Sequence, residues 1–167
     1  MRNYQRWTLL FFIFLCIKGY TGCKKPDIFS EIPVIEYKDF SINDTIFTDE
    51  LGNEIIKGTL IFSFQDGDGD IGSDPGLLDS NSTDNLFIYR YKYINDEIQK
   101  DSVPILFQIP YVPEPDGQNR TLKGEIEVEM DFYMNLLPTD TLQLEFYLFD
   151  RAKNQSNTEI TPLIVMD

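Results

Sequence analysis

The chain has 167 residues, none of which is histidine, and only two of which are cysteine. Without histidine, a Ser-His-acid triad and a histidine-ligated metal centre are both excluded. Cys16 lies in an apolar run near the N-terminus, and removal of that run would leave Cys23 as a lone cysteine. A disulfide framework is therefore not expected, and no enzymatic activity is predicted.

Basic residues are also scarce. Fourteen Lys and Arg stand against 28 Asp and Glu, which gives a formal net charge of −14 at pH 7. Such a surface repels nucleic-acid phosphates and anionic lipid headgroups, and it attracts cations. The composition therefore excludes nucleic-acid binding as a function.

Long apolar runs are absent except at residues 7–17, WTLLFFIFLCI, which follow Arg2 and Arg6. This run is too short to span a bilayer, which takes about 20 residues. A basic start, a short apolar core and small residues after it are typical of a secretory signal. We therefore expect residues 1–22 to be a signal peptide.

Thr21-Gly22-Cys23 resembles the end of a bacterial lipobox, in which the cysteine is acylated and becomes the new N-terminus. The resemblance implies a lipidated Cys23 followed by a tether over residues 23–33, where Pro26 and Pro33 oppose regular structure. It also implies attachment to a membrane through the N-terminal lipid. The expected location is the cell envelope, anchored to the outer membrane on its periplasmic or surface face.

Sustained helical periodicity is missing beyond the tether, and alternation of apolar and polar residues takes its place. The predicted strands are 34–43, 54–65, 85–94, 102–109, 124–133, 141–150 and 158–166. The predicted core is built from the inner rows of three strands: Leu60, Phe62 and Phe64; Ile126, Val128 and Met130; Leu142, Leu144 and Phe146. Short strands separated by turn signals predict an all-β domain over residues 34–167, an antiparallel sandwich of about seven strands.

An aromatic row also alternates along the third predicted strand: Phe87, Tyr89, Tyr91 and Tyr93. Such a row is either part of the core or a platform on which sugars stack. Aromatic rows in strands usually face the core, and we predict that position here.

Residues 135–165, NLLPTDTLQLEFYLFDRAKNQSNTEITPLIV, are similar to the last two strands of fibronectin-type-III and related immunoglobulin-like domains. In those folds a leucine-proline corner leads into the penultimate strand, and an Asp-rich turn with Asn precedes the last. Together with Cys23 and the run DGDGDIG at residues 66–72, the chain resembles small exported lipoproteins of Bacteroidota. The resemblance implies an immunoglobulin/fibronectin-III-like fold and an envelope location, whereas the role of that group is unassigned.

Asp66, Asp68 and Asp70 alternate with glycines directly after a predicted strand. Calcium takes six to eight oxygen ligands, and a turning backbone aims alternate carboxylates at one point. Glycine allows the tight curvature that this needs. The run is not an EF-hand, because the sixth and twelfth positions counted from Asp66 are Ile71 and Leu77.

Further ligands must come from elsewhere, and Asp74 and Asp79 are the nearest acids that follow the run. Asp150 is a remote candidate, because the loops after the second and sixth predicted strands lie at the same end of a sandwich. We therefore predict a structural Ca²⁺ site formed by Asp66, Asp68, Asp70, Asp74 and Asp150. The alternative is a solvated turn, although three adjacent carboxylates repel one another unless something neutralises them.

The sequence thus predicts a lipid-anchored, non-enzymatic β-sandwich of the cell envelope that serves adhesion, ligand capture or assembly of a surface complex. Its partner would be a protein or a glycan. The alternative is an accessory carbohydrate-binding lipoprotein of a polysaccharide-uptake system, which requires exposed aromatic rings beside the acidic loop. A small hydrolase that uses a carboxylate pair stays open as a third hypothesis. The chain has so many acids that no particular pair stands out.

Overall fold

The computed structural model describes residues 29–73, 84–94, 97–115, 120–134 and 141–165. These residues form nine β-strands and no α-helix. The strands are β1 Val34–Thr48, β2 Glu54–Asp66, β3 Leu86–Ile94, β4 Glu97–Lys100, β5 Ile105–Phe107, β6 Leu122–Tyr133, β7 Thr141–Leu148, β8 Glu159–Ile160 and β9 Ile164–Val165. In the same ranges no helix has the length and apolar character needed to cross a membrane. The predicted signal peptide and Cys23 lie outside the described residues.

The strands form two antiparallel sheets. The first sheet has the order β1-β2-β6, and the second has β3 and β7 at its centre. Both β4 and β5 pair with the edge of β3 that β7 leaves free, and β8 and β9 share the outer edge of β7. This arrangement of two antiparallel sheets confirms the predicted all-β sandwich.

Two predicted strands differ from those observed, and proline explains both differences. The predicted strand 102–109 is reduced to β5, which Pro104 precedes and Pro110 follows, and the separate strand β4 comes before it. The predicted last strand is interrupted at Pro162, which separates β8 from β9. Proline has no backbone N–H to donate to a ladder, which accounts for the start of β5 after Pro104 and for the break at Pro162.

The core lies between the sheets and consists of the inner rows predicted from alternation. All but one of those side chains are buried, and the exception, Ile126, is half-buried. Phe62 of β2 and Phe146 of β7 meet across the two sheets, with ring centroids 5.1 Å apart. The predicted core is therefore confirmed.

The aromatic row of β3 does not face the core, so that prediction is wrong. Leu86 and Ile88, in the opposite row, are fully buried between the sheets, and the aromatic row lies half-buried on the outer face of the second sheet. There the ring of Phe87 stacks on that of Tyr147, with centroids 5.4 Å apart and planes 9° apart. The rings shield one another, which accounts for apolar side chains on an outer face.

Side chains close one lateral edge of the sandwich, where β1 lies beside β8. The amide of Asn157 accepts a hydrogen bond from the backbone N–H of Ile35 at 2.8 Å and donates one to the Ile35 carbonyl oxygen at 2.9 Å. The Glu159 carboxylate accepts from the N–H of Tyr37 at 3.2 Å. These bonds stand in for strand pairing and join the first sheet to the second.

Candidate metal centre

Two rows of the core end in aspartate. In β2 the buried row Leu60, Phe62, Phe64 continues to Asp66, which is 0 % exposed. In β7 the buried row reaches Leu148, and two residues later Asp150 is 2 % exposed. Because side chains alternate with period two, each aspartate occupies the core layer that follows the last apolar one.

The structure brings three of the predicted ligands together. Asp66, Asp70 and Asp150 each offer a carboxylate oxygen, and these oxygens lie within 4.8 Å of one another. The prediction that the two loops meet is thus confirmed, and the three residues form a group that could hold a metal ion. Asp68 lies beside this triad and is half-buried, while Asp74 lies outside the described residues and stays a prediction.

In the first loop, Asp66 and Asp70 each accept one backbone hydrogen bond through a single carboxylate oxygen. Oδ2 of Asp66 accepts the backbone N–H of Asp70 at 2.9 Å, and Oδ2 of Asp70 accepts that of Ala152 at 2.9 Å. The Oδ1 atoms of Asp66, Asp68 and Asp70 are shielded from solvent and accept no hydrogen bond from the described part of the chain. Buried polar atoms are nearly always partnered, so three such atoms make this loop a candidate site for a cation.

The second loop is a tight turn that positions Asp150. Its Oδ1 accepts the backbone N–H of Asn154 at 2.7 Å, and its Oδ2 accepts the side-chain amide of Asn154 at 2.8 Å. A carboxylate oxygen has two lone pairs, so both atoms keep capacity for a cation. The N–H of Arg151 donates to the carbonyl of Asp70 at 3.1 Å, which joins the second loop to the first.

The electrostatics of the cluster favour protonation when no cation is present. Burial, together with the charges of Asp68 and Asp70, raises the pKa of Asp66 to about 7. Burial likewise raises the pKa of Asp70, with contributions from the charges of Asp150 and Asp68. Desolvated carboxylates that repel one another hold protons, and a bound cation would replace those protons.

Gly69 and Gly72 give the first loop its shape. Their φ angles are +75° and +94°, in the left-handed region that other residues rarely adopt. A Cβ at Gly69 would collide with the carbonyl oxygen of Arg120, and one at Gly72 with that of Pro110. The loop therefore turns sharply against the chain segments that pack around it.

Sequence reasoning missed two residues that hold these loops. Arg151 donates to the Ile71 carbonyl at 3.0 Å and to the Glu114 carboxylate at 2.9 Å. Asn85 is buried, and its Oδ1 accepts the N–H of Ile109 at 2.7 Å. Arg151 lies in the segment 135–165 that resembles fibronectin-type-III domains, but no role was predicted for it, and no sequence signal pointed to Asn85.

Comparisons with protein families, curated proteins and solved structures return no match for this chain. The chemistry of the site is therefore argued from its own atoms. Its ligands are carboxylate oxygens, which are the donors that hard cations prefer.

Proposed function

We propose that this chain is a calcium-stabilised, non-enzymatic β-sandwich of the cell envelope, held to the membrane by a lipid on Cys23, that captures a ligand or assembles a surface complex. One observation carries the cation part of the proposal: three shielded carboxylate oxygens without partners lie in the loop that contacts Asp150. Each unpartnered buried oxygen destabilises the fold by about 1–3 kcal/mol. A cation removes that penalty for all of them together.

Calcium fits this arrangement better than magnesium. Calcium accepts six to eight oxygens in irregular geometry, whereas magnesium demands a near-ideal octahedron and keeps several of its waters. Asp66, Asp68, Asp70 and Asp150 supply up to eight carboxylate oxygens from two loops of different shape. The ion would join the end of β2 to the end of β7, and its role would be to make that end of the sandwich rigid.

The alternative of a carbohydrate-binding lipoprotein is not favoured by the aromatic row. A sugar needs the open face of a ring, but Phe87 and Tyr147 turn their faces to each other. The ammonium group of Lys100 lies 4.2 Å from the centre of the Tyr89 ring and covers it. A protein ligand is therefore the partner that we propose.

Calorimetric titration of chelator-treated protein with CaCl₂ tests the proposal. We expect binding with a dissociation constant of about 10⁻⁴ to 10⁻³ M, as in other extracellular modules, and weaker binding of MgCl₂. Asp150→Asn should weaken calcium binding at least about tenfold, since a charged ligand is lost. Asp131→Asn, an exposed change on the first sheet, is the matched control. Absence of calcium heat at about 10 mM, ten times the weakest expected constant, would reject the site.

A further inference from the structure

The second lateral edge of the sandwich is open. Within the described ranges β6 pairs only with β2, in an unbroken antiparallel register from Leu122 to Tyr133 without a bulge. Along its twelve residues, the backbone N–H and C=O groups of its other side have no strand partner among the described residues. Natural sheets usually shorten, bend or cover such an edge. Asn157 closes the opposite edge, so the two edges of the sandwich differ.

A cleft runs beside this free edge. It has a volume of about 500 Å³ and lies between β6 and the segment that follows β5. Its walls are largely apolar and include Phe64, Leu86, Phe107, Ile109, Ile126 and Val128. Phe107 and Ile126 are only half-buried, so apolar surface remains for a ligand to cover. Gly124 has no side chain next to the Phe64 ring, which keeps the cleft wide at that point.

The outward row of β6 carries negative charge. Glu125, Glu127 and Glu129 are exposed, alternate along the strand with the inward side chains Ile126 and Val128, and also line the cleft. Glu129 pairs with Lys57, but no ion pair involves Glu125 or Glu127 in the described part of the structure. A strand added beside β6 would place alternate side chains in the cleft and the others next to these acids, because cross-strand neighbours lie about 5 Å apart.

We propose that the free edge of β6 binds an extended peptide segment of a partner protein, in which apolar residues alternate with Lys or Arg. Main-chain hydrogen bonds to β6 would supply affinity, and the cleft would select the apolar side chains. The acids would select the basic ones. Pairing of β6 with β6 of a second copy is disfavoured, because the glutamate rows of the two copies would oppose each other. The proposal does not depend on the cation site.

A synthetic peptide of alternating Val and Lys, about eight residues long as in ordinary strands, is the probe. Fluorescence anisotropy in calcium buffer would measure its binding. Two N-methylated versions of the peptide separate strand addition from charge attraction. One is methylated on the backbone amides of its odd-numbered residues and the other on those of its even-numbered residues. Only alternate amides of an added strand face its neighbour, so one version should bind at least about tenfold more weakly, given about 1 kcal/mol for each lost hydrogen bond. The other version should bind as the parent peptide does.

Charge reversal on the protein tests the selectivity. The double variant Glu125→Lys with Glu127→Lys should weaken binding of the Val-Lys peptide at least about tenfold. It removes two attractions and adds two repulsions of up to about 1 kcal/mol each. The same variant should gain affinity for a peptide of alternating Val and Glu. Glu50→Lys with Glu97→Lys is the matched control, because both residues are exposed and lie away from the cleft. Far-ultraviolet circular dichroism would check that each variant is folded.

Three results would overturn the proposal. The first is no binding at about 1 mM peptide, a concentration that detects affinities of about −4 kcal/mol. The second is equal binding of the two methylated peptides, which would indicate charge attraction alone. The third is self-association of the protein that Glu125→Lys with Glu127→Lys abolishes, which would make a second copy the occupant.

Discussion

Two layers of the same core differ in what burial does to them. In one layer Phe62 and Phe146 meet across the sheets, and burial of both rings stabilises the fold. Two layers further along the same two strands, beyond Phe64 and Leu148, Asp66 and Asp150 take the equivalent positions, and burial opposes their charge. Strand alternation produces both layers. The apolar layer is complete within the chain, whereas we propose that a cation from outside it completes the acidic layer.

Removal of a ring from the apolar layer should have the largest effect. Phe146→Ala is expected to lower the free energy of unfolding by about 3–5 kcal/mol, because it leaves a cavity in a fully buried site. Urea denaturation would measure the loss. Tyr133→Ala, a half-exposed position at the end of β6, is the control and should lose much less. An equal loss in both variants would contradict the description of the apolar layer.

Calcium should stabilise the acidic layer by a smaller amount. An ion that binds only the folded state adds about 2.7 kcal/mol at 100 times its dissociation constant. The corresponding rise in melting temperature is several degrees, and differential scanning calorimetry in CaCl₂ and in chelator would measure it. Equal melting temperatures in the two buffers would mean that the acidic layer is a solvated turn.

The backbone of the acidic loop should tolerate no side chain at Gly72. Gly72→Ala places a Cβ against the Pro110 carbonyl at a positive φ, and such strain costs about 1–3 kcal/mol. The variant should also lose part of its calcium response, because the loop must move to relieve the clash. Gly52→Ala is the control for φ alone, since its φ is +85° and nothing lies near the added atom. Calcium responses that are equal in the two variants would contradict the proposed loop geometry.

Proton binding to Asp66 should make the stability of the calcium-free protein depend on pH. In chelator its pKa is about 7 in the folded protein, against about 3.9 in the unfolded chain. The folded state therefore binds the proton more tightly, and the stability that Asp66 contributes is complete below about pH 3.9 and lost as the pH rises through about 7. Wild type should lose stability relative to Asp66→Asn across this window in urea denaturation. A constant difference between the two proteins would show that Asp66 does not titrate in this way.

The two layers also show how far sequence alone can go. Period-two alternation was enough to predict the inner rows of β2 and β7. The positions of the two strands in the sandwich were enough to predict that Asp150 lies near Asp66. In β3, however, the row of Ile88 also carries Arg90 and Lys92, whereas the row of Tyr89 is aromatic throughout, so alternation alone favoured the row that the partner sheet does not cover. Arg151 and Asn85 were missed because their partners lie 80 and 24 residues away in the chain.

The free energy of unfolding of Asp66→Asn, measured against wild type at pH 7.5 (about half a unit above the folded pKa), tests the central claim most directly. In calcium the variant should be less stable, because it lacks a charged ligand. In chelator it should be more stable, because a neutral amide is less costly to bury and can donate to the carboxylates beside it. The predicted result is thus a change of sign between the two buffers. A variant that is destabilised equally in both would contradict a cation site at Asp66, Asp70 and Asp150.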